Sequence, residues 1–290
     1  MSHLRALWSR LRAYLQLMRV FGPLIMGFSV VLGEIVALGR APSLGQMTQG
    51  FLVMFCLGGA AFVINDYMDL EGDRTNYPGR PLPRGAISTR SALVLGIDLS
   101  AVGLLIALWT NARAFILAVV FLTMAIYYDV SGKLTGLPGN LIVAFCSALT
   151  FMFGAALVSR SFSTVVTLIF LLAFLANAGR EITKSIADQE GDRIGRVRSV
   201  ALLHGARTAA ILGAAFFLLT ASVGPIIYMS VFGSLEGPQS CLILVAESGF
   251  VFISVWLIRR PDERTAARAA AAADVFMVVV VVVLLLVSLM

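Results

Sequence analysis

Nine long apolar runs divide this chain, and they constrain its fold more than any other feature. They lie at about 15–38, 47–65, 91–110, 112–128, 139–158, 163–180, 208–231, 240–258 and 272–289. An α-helix needs about 20 predominantly apolar residues to cross the hydrocarbon core of a bilayer. Hydrophobic residues make up 59% of the 290 positions, so little of the chain remains for a soluble domain. The sequence therefore predicts an all-α integral membrane protein with nine transmembrane helices.

Basic residues are distributed unevenly between the segments that connect these runs. The chain has 22 Lys and Arg against 16 Asp and Glu, and all of the basic residues except Arg40, Arg113 and Arg160 fall on one side of the predicted membrane. Membrane proteins concentrate Lys and Arg in their cytoplasmic loops. We therefore expect a multi-pass protein of the cell membrane with a cytoplasmic amino terminus. The positive charge then reflects topology, and no nucleic-acid partner is indicated.

The hexapeptide Asp-x-Glu-Gly-Asp-Arg occurs twice, at 69–74 and at 188–193. The copies follow the second and sixth predicted helices, so four crossings separate them and both must lie on one membrane face. The long polar loops that contain them are expected to carry the active site, on the cytoplasmic side. The repeated position also indicates two four-helix repeats and a ninth helix in a single transmembrane domain, 1–290, divided at about 15–128, 139–258 and 272–289.

The first acidic cluster has helical spacing. Asp66, Asp69 and Asp73 follow an i, i+3, i+7 pattern, which places three carboxylates and Asn65 near one face of a helix that continues past the second span. A divalent ion would neutralise such closely spaced like charges, and magnesium often joins carboxylates to substrate phosphates. The prolines that flank Arg80 in the next loop hold it in a rigid segment suited to bidentate phosphate binding.

The second cluster forms one stripe along a predicted helix, made of Asn177, Glu181, Lys184, Asp188 and Asp192. Three carboxylates and a cation on one stripe suit a metal ion with a phosphate beside it. A single acidic residue at a helix end is more often solvated or paired with a nearby arginine. Two similar clusters on one face instead favour one bipartite site, in which a pair of divalent metals holds a diphosphate.

Four further carboxylates lie within or near apolar runs: Glu34, Asp98, Glu247 and Asp274. An ionisable residue inside a membrane is a functional candidate by default. These four are scattered rather than clustered. We expect Asp98, within the third run, to be the most buried of them and to be a hydrogen-bonded or protonated structural group.

Taken together, these motifs resemble the UbiA superfamily of intramembrane prenyltransferases. The first signature of the superfamily, N-D-x-x-D-x-x-x-D followed by R-P-L-P-x-G, is matched at 65–73 and 80–85. The second signature resembles Glu181, Asp188 and Asp192, followed by Arg198-Ser199. Between the two signatures, the superfamily's Tyr-to-Lys and Gly-Asn segment resembles Tyr128, Lys133, Gly139 and Asn140.

The resemblance implies a central cavity open to lipid, two bound Mg²⁺ ions and a polyprenyl diphosphate donor. It also implies residue roles. The metal ligands would be Asp66, Asp69, Asp73, Glu181, Asp188 and Asp192, and the five aspartates among them would be catalytic. The substrate-binding residues would be Asn65, Arg80, Tyr128, Lys133, Asn177, Arg180, Lys184 and Arg198, with Arg180 and Lys184 meeting the phosphate of the acceptor.

Within the superfamily, the segment 179–184 together with D-x-E-G-D resembles the branch that makes archaeal ether lipids. That resemblance implies transfer from geranylgeranyl diphosphate to the hydroxyl of geranylgeranylglyceryl phosphate, a lipid-like phosphate acceptor, with release of diphosphate. An aromatic acceptor of the 4-hydroxybenzoate type, as in quinone or chlorophyll pathways, is the alternative. A divalent-cation transporter is a third hypothesis, but it would need acidic groups at mid-membrane depth with access from both faces.

Overall fold

The structure is a computed structural model that describes residues 2–195, 197–232 and 238–288. Within these ranges the regular secondary structure is helical. The α-helices are α1 (Ser2–Leu17), α2 (Phe21–Leu38), α3 (Leu44–Met68), α4 (Leu70–Asn76), α5 (Thr89–Thr110), α6 (Ala112–Val130), α7 (Leu137–Val158), α8 (Thr164–Ala187), α9 (Gln189–Ile194), α10 (Val200–His204), α11 (Ala206–Phe232), α12 (Pro238–Arg259) and α13 (Glu263–Ser288). A short 3₁₀ turn, Gly132–Leu134, lies between α6 and α7.

In the described part of the chain, nine helices are long and apolar enough to cross a membrane: α2, α3, α5, α6, α7, α8, α11, α12 and α13. This confirms the predicted all-α membrane fold. Several of them begin directly after a Ser or Asn whose side-chain oxygen accepts a backbone N–H of the first turn, as Ser43, Ser88, Asn111 and Ser163 do. Such N-caps satisfy donors that would otherwise be left unpaired at a helix end.

The spanning helices form a closed ring. Each packs against the next in the sequence, and α13 packs against α2. Contacts between α2 and α7 also cross the ring, at two glycines. A Cβ on Gly33 would collide with the Phe151 carbonyl, and one on Gly154 would collide with the Val30 carbonyl. Small residues let membrane helices approach closely. Such close packing stabilises helix contacts in a bilayer, where lipid tails leave no hydrophobic driving force between helices.

The structure corrects the predicted boundaries at both ends of the chain. The first span does not begin at 15, because α1 ends at Leu17 and the chain turns at Arg19, whose φ is 47°. The last span begins at Glu263 rather than 272, because the alanine-rich segment before 272 favours helix although it is only weakly apolar. Its predicted end at 289 lies outside the described residues.

The prediction that Asp98 is the most buried intramembrane carboxylate is wrong. The buried positions of α5 are Ala92, Gly96, Gly103 and Ala107, and Asp98 is exposed on another face. Instead, the buried carboxylates within spans include Glu34, in α2, and Glu247, in α12, which are 0% and 4% exposed. Because α5 packs through only one narrow face, position along an apolar run does not determine burial.

Candidate active site

Each copy of the hexapeptide interrupts a helix at its first aspartate. Asp69 separates α3 from α4 with φ −91° and ψ 4°, and Asp188 separates α8 from α9 with φ −95° and ψ 8°. The i to i−4 backbone hydrogen bonds continue across both breaks, at 2.8–3.0 Å. These dihedrals lie in the sparsely populated bridge region, where active-site residues are often found. The predicted straight stripes are therefore bent, and each motif is shared between a spanning helix and a short helix.

The two short helices α4 and α9 are in contact, and this contact brings the two acidic motifs together. A Cβ on Gly191 would lie 3.2 Å from the Tyr77 hydroxyl, so the glycine at this position leaves room for Tyr77 beside α9. A Cβ on Gly72 would lie 4.0 Å from the Cα of Gly195, which is an ordinary van der Waals distance.

A cavity of about 690 Å³ lies between the motifs. Its lining includes all of the predicted site residues except Asp66, Asn177 and Arg198. The charged groups lie on α4, α8 and α9, at the end of α6 and in the connecting turns and loops that carry Arg19, Arg80 and Lys133. Apolar side chains from α2, α3, α6 and α7 continue the lining: Met26, Ala61, Phe62, Phe121, Ala125, Ile142, Val143 and Cys146. The cavity therefore joins an ionic end to an apolar end, as a diphosphate with a long hydrocarbon tail requires.

Two arginines hold the outermost carboxylates of the first motif. The Oδ1 atom of Asp66 lies 2.6 Å from Arg19 Nη2 and 3.5 Å from Arg80 Nη1. Arg80 Nη1 also lies 2.5 Å from Asp73 Oδ2. Asp66 is only 3% exposed, so its charge depends on this pairing, because an unpaired buried charge is strongly destabilising. The structure places Asp66 behind the cavity lining, as the group that anchors Arg19 and helps to orient Arg80.

The middle carboxylate of the first motif belongs to a second network. Asp69 pairs with Lys133, and the Asn65 amide nitrogen donates to Asp69 Oδ2 at 3.2 Å and to Asp129 Oδ1 at 2.6 Å. Asp129 is buried at the end of α6 and lines the cavity. Asn65 therefore links two carboxylates from different helices and orients both toward the same space.

The loop after α4 presents Arg80 to the cavity. The Arg80 guanidinium lies over the Tyr77 ring, 4.1 Å from its centroid, which fixes its plane. The predicted rigidity of this loop is supported at its other end, where Arg84 Nη2 donates to Gln16 Oε1 of α1 at 2.9 Å. Arg80 is thereby held at the cavity edge with its charge already shared between two carboxylates.

The second motif is more loosely held. Glu181 pairs with Arg180, and Arg180 Nε lies 2.5 Å from Asp274 Oδ1 of α13. Lys184 Nζ is 3.9 Å from Asp188 Oδ2, and both side chains are about half exposed. Arg180, Glu181, Lys184 and Asp188 all line the cavity. This side of the cavity therefore offers two cations and at least one weakly paired carboxylate.

A smaller pocket of about 80 Å³ opens beside the main cavity and explains the position of Arg198. Arg198 lines it together with Lys133, Lys184 and Asn140. The backbone N–H of Arg198 donates to the Lys133 carbonyl at 3.1 Å, which ties the loop after α6 to the loop after α9. Asn177 lines neither space, and its amide donates to the Ala173 carbonyl of its own helix at 2.8 Å. Arg198 thus lies beside the predicted site, whereas Asn177 is turned away from it.

Asp192 is an acidic residue of the second motif whose ionisation is affected by its surroundings. Burial raises the pKa of the Asp192 carboxyl above its ordinary value, and the neighbouring Asp188 charge adds to the effect. The nearby Lys184 ammonium acts in the opposite direction, because a positive charge favours the ionised form of the Asp192 carboxyl. The carboxylate form of Asp192 is therefore favoured when further positive charge enters the cavity.

The donor chemistry of the cavity fits magnesium. Five carboxylates of the two motifs face it, namely Asp69, Asp73, Glu181, Asp188 and Asp192. Mg²⁺ prefers oxygen ligands and is commonly bound by one or two carboxylates together with substrate phosphates. Within the described residues no three His, Cys, Asp or Glu side chains converge on one metal position. Several of the carboxylates are instead paired with Arg or Lys. On binding, Mg²⁺ would take the place of Arg or Lys beside the carboxylates, and diphosphate would take the place of the carboxylates beside Arg and Lys.

The structure brings into the site two charged residues that sequence reasoning did not select, Arg19 and Asp129, and a third, Asp274, that it noted only as a scattered carboxylate. Arg19 and Asp129 line the cavity, and Asp274 holds Arg180 from α13. The signal for Asp129 is its position next to Tyr128, at the end of an otherwise apolar span. Arg19 carries no comparable signal, and the sequence does not reveal the partner of Arg19 or of Asp274, because these partners are 47 and 94 positions away.

Comparisons with known proteins agree with this geometry. Residues 26–285 match the UbiA prenyltransferase family. A digeranylgeranylglyceryl phosphate synthase of Thermococcus kodakarensis is 37% identical over 264 residues, which cover 89% of this chain and 91% of that protein. The enzyme of the same name from Archaeoglobus fulgidus is 38% identical over 224 residues, covering 77% of this chain and 76% of the relative.

Solved structures show the same fold. A structure of digeranylgeranylglyceryl phosphate synthase superimposes with a TM-score of 0.80 at 26% identity, covering 96% of this chain and 98% of that one. A UbiA homologue from Archaeoglobus fulgidus, bound to DMAPP and Mg²⁺, has a TM-score of 0.69 at 18% identity, with coverage of 93% and 98%. With the family match over most of its length, this chain belongs to the UbiA prenyltransferases and is an integral membrane enzyme of that family.

Proposed function

We propose that this enzyme transfers a geranylgeranyl group from geranylgeranyl diphosphate to the free hydroxyl of geranylgeranylglyceryl phosphate. The product would carry the second ether bond of an archaeal membrane lipid, and diphosphate would be released. The observation that carries the proposal is the single cavity in which the two kinked acidic motifs meet, with a separate pair of cations on α8. Relatives named digeranylgeranylglyceryl phosphate synthase, 34–37% identical over most of this chain, support the choice of acceptor.

The ionic end of the cavity is suited to the donor diphosphate. Arg80 and Lys133 approach it from two different loops, and Arg198 lies in the adjoining small pocket. Arginine forms bidentate contacts with phosphate oxygens, whereas lysine acts as a compact positive charge. These cations would stabilise the negative charge that grows on the leaving diphosphate. Tyr128, which lines both spaces, is available to hydrogen-bond a phosphate oxygen or to face an allylic cation with its ring.

Two Mg²⁺ ions would complete this end of the site. Asp69 and Asp73 would hold one ion, and Glu181, Asp188 and Asp192 would hold the other. Bound there, Mg²⁺ would neutralise the diphosphate and make it a better leaving group. Asp66 would join the first group only after leaving Arg19, its partner at 2.6 Å. The Mg²⁺ in the homologue bound to DMAPP supports a divalent ion in this fold.

The acceptor phosphate would be recognised by Arg180 and Lys184. These cations lie one helical turn apart on α8 and face the same cavity as the acidic motifs. A glycerophosphate carries a doubly charged group that 4-hydroxybenzoate lacks, so cations not needed for the donor favour the lipid acceptor. Asp274 holds Arg180 at 2.5 Å and would compete with that phosphate for it.

The transfer itself would exchange one bond for another. The bond between the allylic carbon of the donor and its diphosphate oxygen breaks, and the electron pair leaves with diphosphate. The acceptor oxygen bonds to that carbon, and its proton would pass to the released diphosphate. Apolar walls such as Phe62 and Phe121 would exclude water and prevent hydrolysis of the allylic cation.

We also propose that the site faces the cytoplasm, in the cell membrane, and that the spanning helices are two four-helix repeats plus one. The excess of Lys and Arg on the site's side supports the orientation. Matching kinks at Asp69 and Asp188, which end the second and sixth spans, support the repeats. The polyprenyl donor and the lipid acceptor would then both reach the cavity from the surrounding bilayer.

The acceptor is tested by reconstituting the protein in nanodiscs with Mg²⁺ and geranylgeranyl diphosphate. Geranylgeranylglyceryl phosphate and 4-hydroxybenzoate are offered separately, and products are identified by mass spectrometry. We expect digeranylgeranylglyceryl phosphate from the first, no prenylated product from the second, and loss of transfer when EDTA removes Mg²⁺. Product from the aromatic acceptor alone, or from neither, would contradict the proposal.

The acceptor subsite is tested by Lys184→Gln. Loss of one charge-assisted hydrogen bond should raise the KM for geranylgeranylglyceryl phosphate about tenfold and leave the KM for the donor nearly unchanged. Arg193→Gln is the matched control, since it removes the same charge from a side chain 70% exposed and paired with Glu190. A rise in the donor KM instead would assign Lys184 to the diphosphate.

A further inference from the structure

Helix α1 carries an apolar face that the rest of the described protein leaves uncovered. Leu7, Trp8, Leu11 and Leu15 are 64%, 68%, 45% and 40% exposed. With 3.6 residues per turn, these four side chains fall in one sector about 100° wide. Four large apolar side chains in one exposed sector are too many to be scattered surface residues.

The opposite face of α1 packs against the protein. Ala13 and Leu17 are buried in a cluster with Leu82, from the Arg80 loop, and with Ile87. Because this face already has its partner, α1 is fixed on the protein surface while its other face points outward. The exposed sector is therefore not the face through which α1 packs on the rest of the described chain.

Basic residues flank the exposed sector. Arg10 and Arg12 are both exposed, and they lie about 100° to either side of its centre. Helices that lie in a membrane interface have this arrangement, with large apolar side chains entering the acyl region and Arg reaching up to anionic headgroups. The charge pattern therefore matches an anionic lipid surface.

The lipid-facing surface of the bundle begins immediately after α1. Phe21, Ile25 and Phe28 of α2 are 79%, 65% and 65% exposed, as expected for side chains that contact lipid. Only the three-residue turn at Arg19 separates α2 from α1. The apolar face of α1 is thus continuous with a surface already committed to the bilayer.

We propose that α1 is an interfacial helix whose Leu7, Trp8, Leu11 and Leu15 face is inserted into the anionic leaflet of the membrane that the protein spans. Its carboxyl end is tied to the site, through Gln16 and Arg84 and through the turn that carries Arg19. Docking of α1 on lipid therefore holds one edge of the active-site loop. The inference does not depend on the identity of the acceptor.

Trp8 is a direct probe of this contact. The chain has three tryptophans, so Trp109→Phe/Trp256→Phe leaves Trp8 alone to report. This full-length variant is placed in nanodiscs of brominated phosphatidylcholine, with or without brominated phosphatidylglycerol, and its emission is compared with that in unbrominated lipid. We expect quenching and a blue shift, both larger with the anionic lipid. Emission unaffected by bromine in both lipids would overturn the proposal.

Charge variants separate anionic binding from general apolar contact. Arg10→Gln/Arg12→Gln in the single-tryptophan background should lower the ratio of docked to undocked helix about fivefold for each arginine removed. Arg40→Gln/Arg160→Gln, which removes two exposed charges between other helices, is the matched control and should leave quenching unchanged. Quenching that depends on the number of proteins per nanodisc, and not on lipid charge, would assign this face to a second copy and reject the lipid.

Discussion

The first acidic motif, on α3 and α4, and the second, on α8 and α9, bend the chain in the same way but neutralise their carboxylates differently. Their kinks differ by only 4° in φ (−91° and −95°) and 4° in ψ (4° and 8°). In the first motif Asp66, Asp69 and Asp73 are each paired with a cation: Asp66 with Arg19 and Asp69 with Lys133 from distant parts of the chain, and Asp73 with Arg80 from the following loop. In the second, Asp188 has only Lys184 at 3.9 Å.

The difference shows that the first motif helps to stabilise the fold as well as lining the cavity. Three cations fix the first motif before any ligand binds, so part of its charge already contributes to the stability of the fold. A half-exposed pair such as Lys184 and Asp188 contributes only about 0–1 kcal/mol. In the second motif Glu181 is paired with Arg180, but Asp188 and Asp192 stay available, and incoming positive charge would act mainly there.

The largest expected effect comes from removing one kink carboxylate. Asp69→Asn and Asp188→Asn should each lower the rate of prenyl transfer about 100-fold or more, since each loses a group placed to neutralise the reacting diphosphate complex. Initial rates in nanodiscs at saturating substrates measure this. Glu190→Gln, on the same segment but 73% exposed, is the control. An Asp188→Asn enzyme as fast as the wild type would remove this motif from the mechanism.

The second expected effect separates the motifs by stability. Arg19→Met leaves the buried Asp66 with Arg80 alone at 3.5 Å and should lower the free energy of unfolding by about 1–3 kcal/mol. Lys184→Met should cost less than about 1 kcal/mol. Denaturant unfolding in mixed micelles measures both. The double variant Arg19→Met/Asp66→Asn should recover much of the loss, and a double variant no more stable than Arg19→Met would disprove the pairing argument.

The smallest expected effect is a pH dependence in the second motif. Burial raises the pKa of Asp192, so the folded state binds the proton more tightly than the unfolded state. Its contribution to stability therefore grows as the pH falls through the raised pKa and levels off below the ordinary value near 4. Asp192→Asn lacks this gain. Without Mg²⁺, the thermal midpoint of the wild type should rise relative to that of the variant as the pH is lowered from 7 to 4. A difference in midpoint that does not change with pH would refute the assignment.

The membrane fold was predictable, because each span must satisfy its own backbone hydrogen bonds and cover itself with apolar side chains. Helix boundaries were less so. Apolar residues recur through 15–20, interrupted only by Gln16 and Arg19, so the sequence pattern did not separate α1 from α2. The break at Arg19 depends on packing of Leu17 beneath the Arg80 loop, which is a contact between distant segments.

The candidate site was predicted in part. The repeated hexapeptide and its place after the second and sixth spans identified most of the carboxylates that line the cavity. Asn177 was included by helical spacing alone, although its amide bonds to its own helix. Asp129 was not selected and Asp274 was not assigned to the site, because a carboxylate near a span end has no distinctive pattern until its partner is known.

By itself the sequence determined that this chain spans a membrane, that both acidic motifs share one face, and that their side chains suit metal and diphosphate. These properties follow from composition, the number of crossings and residue type, all of which are local or countable. Only the tertiary structure decided which carboxylates face the cavity and which are held by arginine. The reason is that burial and ion pairing depend on contacts between residues 47 to 94 positions apart, such as Arg19 with Asp66 and Arg180 with Asp274.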